Sequence, residues 1–480
     1  MAEARPMHND KESPFTLTLL DDDLSLQVVQ FSGREALNQP YRFEIEVVGL
    51  APAMPLQQLL HQAAFLSLGH GQGIHGVLHN VSREHRGPHR VGYKLVLGPA
   101  LQSLDRHRCR RIFEPSSVPM ILQQLLAEHE LPDNSYRFEL TNGHYPLRPF
   151  CIQYEETDLA LLQRLCEEEG IHYHFEHHRH GHVLVFADDS LSFPQEPLLM
   201  PFRSDAPDDS NPWRISELFQ RHDSRPFSPR LDTRDRGAMD TDDGAANHVF
   251  TQAMAPMVRP APEQRHRDQL ARRHLERLRC RQMQIHGQSN HGELRSGCIV
   301  QVTEHPLTGF NDQWLVTQAR HQGEQGSILQ HGTSGAPRRY RNQFNAIPWS
   351  TVFRPALEQP RPRIPGYQPA RVLGQTGQQS ALDEQGRIQV SVWPATDNET
   401  AEGVGLWLPV AMTGARIDPG RLPMAGSDGW VSFLDSDPDR PVFCASTGHR
   451  STPRPARRHE PRNDSRLLLD WLIDPTDAES

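Results

Sequence analysis

The sequence predicts a mainly β fold with some α, spread over several domains. Short runs of alternating apolar and polar residues recur along most of the chain, Gly, Pro and Asp clusters punctuate them, and helical spacing appears in only a few places. At 480 residues the chain exceeds what one hydrophobic core usually serves, so about two to four domains are expected. With 40 Pro and 33 Gly it is loop-rich, yet apolar runs persist throughout, which excludes wholesale disorder. The balance of 50 basic and 60 acidic residues, net -10, argues against a nucleic-acid footprint. Lys11 and Lys94 are the only lysines, leaving few candidates for lysine-dependent chemistry. Cys109, Cys151, Cys166, Cys280, Cys298 and Cys444 form no C-x-x-C pair, which suits reduced thiols rather than a disulfide framework or a zinc site. No apolar run approaches the ~18–20 residues that span a bilayer, so stable membrane insertion is not expected. Residues 1–13 are polar and lack the apolar stretch of a secretory signal, so the chain is expected to begin in the cytoplasm.

Taken in order, Phe15-Thr16-Leu17-Thr18-Leu19, Tyr41-Arg42-Phe43-Glu44-Ile45-Glu46-Val47 and residues 91–97 read as strands of a small barrel or sandwich. One helix is expected near residues 56–66. Val118, Ile121, Leu122, Leu125 and Leu126 then recur at helical spacing after a Ser cap, and Pro132 stops the run. A second helix follows Thr157-Asp158, with Leu159, Leu162, Leu165 and Cys166 on one stripe and Gly170 suited to the C′ position. Ile171-His172-Tyr173-His174-Phe175 leads into a strand, a turn near Arg179–Gly181 and a return at Val183-Leu184-Val185-Phe186. Residues 194–212 and 222–243 read as loops. A charged helix over residues 263–282 precedes new strands at 298–303 and 313–319. Prolines 348, 355, 360, 362, 365 and 369 mark a stiff linker. Beyond it, Ile388-Gln389-Val390-Ser391-Val392-Trp393, residues 406–411 and residues 430–434 suit a small barrel of the OB-fold size class.

Residues 150–186 carry a specific combination: Gln153-Tyr154-Glu155-Glu156-Thr157-Asp158, Arg164-Leu165, then Glu167-Glu168-Glu169-Gly170-Ile171-His172-Tyr173-His174-Phe175-Glu176-His177. With Arg111-Ile112-Phe113, Leu294-Arg295-Ser296-Gly297, Asn342-Gln343-Phe344-Asn345-Ala346-Ile347-Pro348, Asp383-Glu384-Gln385-Gly386-Arg387 and Phe433-Leu434-Asp435-Ser436-Asp437-Pro438-Asp439-Arg440-Pro441, it resembles the VgrG spike proteins of the type VI secretion system. The resemblance implies a phage tail hub-like region with two β-barrels and an α/β insertion, followed by an OB-fold barrel. The implied domains are 1–104, a first hub barrel; 105–200, a helix-hairpin segment; 201–345, a second hub barrel with the charged helix; 346–370, the linker; 371–447, the OB-fold barrel; and 448–480, a basic tail. It also implies a homotrimer whose six barrels match a sixfold Hcp-like tube ring. Baseplate proteins and a PAAR-like tip protein or effector are the further implied partners. Such a spike assembles in the cytoplasm and leaves through the apparatus without a signal peptide. The alternatives are the hub of a contractile phage-like tail, or a spike carrying hydrolase activity. The family's repetitive needle is not visible in residues 448–480.

Several groups invite a chemical reading. His172, His174, His177, His178, His180 and His182 are metal-ligand types. Strand parity sets Ile171, Tyr173 and Phe175 on the apolar face, so His172, His174 and Glu176 are expected on a solvated one, with no metal or cofactor. Glu167-Glu168-Glu169 reads as a solvated helix end rather than paired catalytic acids. Arg265, Arg267, Arg272, Arg273, Arg277, Arg279 and Arg281 are expected to pack their stems along a subunit seam rather than grip phosphate. Ser289 and His291 lie close in sequence but lack a nucleophile's strand-turn-helix setting, and no catalytic motif is present. A structural, non-enzymatic protein is expected. Leu468, Leu469, Trp471, Leu472 and Ile473 form an apolar C-terminal cluster that either folds back on the trimer or binds a partner.

Overall fold

In the computed structural model, residues 15–50, 54–69, 71–85, 90–204, 213–222, 264–325, 339–375, 377–394, 405–411 and 422–444 are described. The alternating runs of the first hundred residues become β1 (Thr16–Leu19), β2 (Leu24–Ala36), β3 (Gln39–Leu50), β4 (Ala63–Gly69), β5 (Gln72–His85) and β6 (Arg90–Gly98). They pair in the order β1-β4-β5-β6-β3-β2, and a β1–β2 pairing closes the ring. Closure leaves no edge, and Leu17, Phe43, Ile45, Tyr93 and Leu95 fill the interior. The helix expected near residues 56–66 shrinks to α1 (Leu56–Leu59), and β4 takes the remainder. Ala64, Phe65 and Leu66 are buried in succession because both faces of β4 are covered, which erases the strand alternation.

After the first ring come β7 (Arg108–Phe113), α2 (Val118–Glu128), β8 (Tyr136–Glu139), β9 (Cys151–Thr157), α3 (Asp158–Glu169), β10 (His172–His178) and β11 (Gly181–Ala187). α3 starts and stops where the sequence signals it, whereas α2 follows Ser117 without a side-chain cap bond and ends at Glu128, short of Pro132. Thr157 Oγ1 accepts the Ala160 N–H at 3.2 Å, and Gly170 at φ 71° lets Ile171 N–H reach the Cys166 carbonyl at 2.8 Å. β8 adds parallel to β11 of the expected hairpin, a pairing the sequence did not signal.

A second ring follows from β12 (Leu198–Pro201), β13 (Ile215–His222), α4 (Gln264–Gln282), β14 (Met283–Ser289), β15 (Ile299–Thr303), β16 (Gln313–Glu324) and β17 (Arg339–Pro348). Its order is β12-β15-β16-β17-β14-β13, closed by a bridge between Phe202 and Ile215. Counted from its own first strand, each ring has the same order, 1-4-5-6-3-2. The direction of the first strand differs: β1 is antiparallel to β4, whereas β12 is parallel to β15. The rings join where β2 pairs antiparallel with β16 over seven rungs, from Gln318↔Ala36 to Glu324↔Gln30, so both belong to one 12-stranded sheet. Gly33 lies opposite Phe43, Gly323 opposite Phe31 and Gly287 opposite Phe344. A Cβ at Gly33 or Gly323 would fall 2.1 Å from the facing ring, so these glycines let the aromatic side chain lie flat on a sharply coiled sheet.

Residues 349–366 contain no helix or strand but are not detached, since Arg354 and Ile364 are buried. The third unit comprises β18 (Tyr367–Val372), β19 (Ile388–Val392), β20 (Gly405–Leu408), β21 (Val410–Ala411), β22 (Asp428–Phe433) and β23 (Pro441–Cys444). Its order is β20-β19-β18-β22-β23-β21. Pro409 bends the chain from one side of the sheet to the other, and Phe443 N–H bonds its carbonyl at 2.9 Å, which closes a small barrel around Val390, Leu408, Val431 and Phe443. No helix among the described residues is long and apolar enough to cross a membrane.

Candidate functional site

The acidic end of α3 organises the joint between the ringed region and the third barrel. Acids in a last helical turn add to the negative end of the dipole, so they demand compensation. The expected solvated end is overturned: Glu167 and Glu169 are buried and the Glu168 side chain is only 12% exposed. The compensation comes from distant parts of the chain. Arg277 and Arg273 of α4 donate to the carbonyls of Glu167 and Glu169, and Arg354 Nη1 donates to the Gly170 carbonyl at 3.2 Å. Arg148 pairs with Glu168 at 3.1 Å and Glu169 at 2.8 Å, His266 meets Glu169 at 2.8 Å, and Arg164 holds Glu156 at 2.5 Å. The arginines of α4 therefore divide. Arg273 and Arg277 cap a helix of their own chain instead of lining a subunit seam, while Arg265, Arg267, Arg272, Arg279 and Arg281 are exposed. The buried stripe of α4 is His266, Gln269, Arg273, Arg277 and Cys280, which has helical spacing but is mostly polar.

This network reaches the linker and the third barrel. Glu167 Oε2 accepts the backbone N–H groups of Glu358 and Gln359, each at 2.8 Å, and burial pushes its carboxyl up to about 7 against the pull of those bonds. Burial also disfavours the Glu168 anion, but Arg148, Arg361 and Arg164 overcome it and hold that carboxyl at about 2. Arg361 spans the joint, 2.9 Å from Glu168 and 3.3 Å from Asp439 beside the third barrel. Burial, followed by the nearby Arg273 and Arg354 charges, lowers Arg277 to about 10. The apolar half of the joint packs Ile112, Phe150, Ile152 and Tyr154 onto the barrel core, with Tyr154 stacked on Trp393 at 5.8 Å.

The histidine hairpin also departs from expectation. His172 and His174 are buried, not solvated, because a second layer covers that face: Phe193 stacks on His172 at 4.7 Å and lies 5.0 Å from His174. On the opposite face, His182 Nδ1 meets His75 Nδ1 at 2.9 Å, so the hairpin docks on the first ring through paired imidazoles. Burial lowers His75 to about 4 and His182 to about 3, keeping both neutral. Among the described residues, no group of three His, Cys, Asp or Glu side chains is placed to hold a metal ion. Ser289 Oγ accepts the His291 backbone N–H at 3.0 Å, while His291 Nδ1 accepts the Glu293 N–H at 3.1 Å; these bonds shape a turn rather than a nucleophile and its base.

Two surfaces remain. A groove of about 1150 Å³ runs along the seam of the two rings, and Glu44, Glu46, Lys94, Glu324, Arg339 and Arg341 give it a mixed-charge lining suited to protein contact. On the third barrel, alternation turns Trp407 and Trp430 outward, 37% and 47% exposed. Leu468, Leu469, Trp471, Leu472 and Ile473 lie outside the described residues.

Two equivalent rings sharing one sheet, an α/β insertion and a third barrel clamped to them define the class of tail-hub proteins. A family model described as phage tail baseplate hub (GPD) matches residues 34–327, and the chain belongs to that family. The chain is 35% identical, over 95% of its length, to the type VI secretion system spike protein VgrG5 of Pseudomonas aeruginosa, and 34% identical, over 97%, to VgrG4b of the same organism. The matches take in 60% and 59% of those proteins, so the chain spans about three fifths of the length of these curated relatives. The solved E. coli c3393 protein is described as a type VI secretion component with structural similarity to the T4 bacteriophage tail proteins gp27 and gp5. It shares the fold at a TM-score of 0.64 and 24% identity, over 87% of this chain and 96% of that one.

Proposed function

We propose that the chain is a structural, non-enzymatic subunit of a type VI secretion spike and works as a homotrimer. The observation that carries this reading is the repeated ring order within one chain: three copies present six equivalent rings, the number needed to seat a threefold object on a sixfold tube. The third barrel, read as an OB-fold, then lies at the distal end, and its outward Trp407 and Trp430 supply apolar area for the contact between copies. In this reading the trimer assembles in the cytoplasm with baseplate proteins, caps an Hcp-like tube and leaves through the apparatus. The segment containing Leu468, Leu469, Trp471, Leu472 and Ile473 receives a PAAR-like tip protein or an effector. Identity to the type VI relatives favours secretion over a phage-like tail. Light scattering tests the reading: three chains of 54.6 kDa give about 164 kDa, and a stable monomer at micromolar concentration refutes the stacking argument. Deleting residues 465–480 should leave the trimer intact and abolish capture of the tip partner. Collapse of the truncated trimer would instead make the segment an internal clamp.

A further inference from the structure

Cross-strand register arranges charge on the outward face of the sheet where the two rings join. Glu324 lies opposite Arg339 and Gln30, Gln30 opposite Glu46, and Glu46 opposite Lys94, so the charges of this row are mixed in sign from strand to strand. Opposite charges facing each other across strands are favourable. Four residues along the same strands a second row does the reverse: Arg320 lies directly opposite Arg34, and Arg34 directly opposite Arg42. Like charges in register repel, and at a strand spacing of about 4.8 Å the three arginines arise within about 10 Å.

Little in the chain neutralises this row. Arg34, Arg42, Arg320 and Arg341 line a depression of about 490 Å³ in which Glu44 is the one acid among the described residues. Glu44 is taken by Arg42 Nη2 at 3.1 Å. Arg34 Nη2 donates to Gln39 Oε1 at 2.9 Å and Arg341 Nε donates to Gln322 Oε1 at 2.7 Å, so both meet neutral amides. Arg320 has no polar partner among the described residues. Glu35, beside Arg34 in sequence, is buried on the other face, where His321 Nε2 meets it at 3.0 Å. Glu358 reaches the edge of the row through Gln39 Nε2, at 3.5 Å. Arg34, Arg320 and Arg341 are thus exposed and clustered, with no ion pair among the described residues.

We infer that this arginine row docks a short acidic segment of a partner protein, whose carboxylates are taken by Arg34, Arg320 and Arg341. A guanidinium fork holds a carboxylate through two parallel bonds, and a cationic row facing an acidic segment gives both register and attraction at a distance. The surroundings favour a short segment over a long polyphosphate. Glu44, Glu46 and Glu324 bound the row on one side and the chain as a whole carries net -10, so an extended nucleic acid would be carried onto like charge. Repulsion tolerated in the free row is the kind of stability cost that a binding surface retains. The row lies within one chain and needs no second copy to form.

The test uses the full chain at low ionic strength with rhodamine-labelled hexaglutamate, followed by fluorescence anisotropy. Saturable binding that fades with added salt is expected, tighter than that of hexathymidylate carrying the same dye. Joint replacement Arg34→Gln and Arg320→Gln should weaken it roughly tenfold or more, whereas Lys94→Gln should leave it within about twofold. Arg34→Gln alone breaks up the row and should raise the thermal midpoint by about a degree at low salt, a gain that high salt removes. A lowered midpoint would make Arg34 a structural residue and overturn the inference. Unsaturable binding, binding indifferent to the double variant, or tighter binding of hexathymidylate would overturn it too. Release of single chains from an assembly by hexaglutamate, seen in sedimentation, would assign the row to a second copy and equally overturn it.

Discussion

Gly323 and Phe31 face each other across the ring seam, and the space between them admits no side chain. Gly323→Val should therefore cost about 1–3 kcal/mol in urea unfolding through overpacking. Gly309→Ala, where an added Cβ meets nothing within 4 Å, should stay within about 0.5 kcal/mol. Equal losses would show that the stacked ring is not the cause. The His75–His182 pair makes a prediction in pH. Both are lowered from 6.5, to about 4 and about 3, so the unfolded chain binds protons first as pH falls. Their contribution is complete above about 6.5 and is lost between there and pH 3, jointly on the order of a few kcal/mol. Unfolding free energy measured over that window should fall less steeply in His182→Asn. Alternation in residues 171–177 is plain in the sequence, but parity names only two faces and says nothing of what covers the second. Phe193, from a later loop, buries His172 and His174, and no local pattern announces it.

Helix α3 was legible almost to the residue, since its cap, apolar stripe and terminal glycine are local signals. Its electrostatic environment was not, because the compensating side chains lie far away in sequence: Arg273 and Arg277 are about a hundred positions distant and Arg354 more still. Glu168→Gln takes one partner from each of three guanidinium groups, Arg148, Arg164 and Arg361, which keep Glu169, Glu156 and Asp439 respectively, and should cost about 1.5–3 kcal/mol. Arg361→Gln removes a side chain 37% exposed and should cost under about 1 kcal/mol, yet should speed proteolysis within residues 349–366 by loosening the joint. Matching unfolding and protease-nicking data would check both. The two neighbouring acids pull stability in opposite directions. Glu168, held at about 2, contributes stability that is present above 4.5 and lost as pH falls toward 2. Glu167, raised to about 7, does the reverse: stability declines as pH climbs from 4.5 to 7. Glu167→Gln keeps an oxygen acceptor for Glu358 and Gln359, so relative to wild type it should gain stability at pH 8 over pH 5 in paired denaturation curves.

At the scale of the whole molecule, the paired rings were legible through the family resemblance and not through internal repetition, because a barrel interior accepts any apolar set of suitable volume, so repetition of residues is lost while strand order persists. The reversed direction of β12 relative to β1 hides the repeat further. Trp407 and Trp430 remain outward on the third barrel, while Trp393 is partly covered by Tyr154. If the proposed trimer is held at this face, replacing both outward tryptophans by Ser should leave circular dichroism unchanged but shift sedimentation from that trimer toward monomer at micromolar concentration. Persistence of the trimer would move the contact between copies away from this barrel face.

The seven-rung β2–β16 seam also has a mechanical meaning. Because its strands lie side by side, a push along their axis loads all the rungs at once in shear instead of peeling them one by one. The two rings then behave as one stiff plate, and compliance under thrust is concentrated in the strandless stretch 349–366. A pulling experiment anchored on the first and third barrels should extend that stretch well before the seam yields.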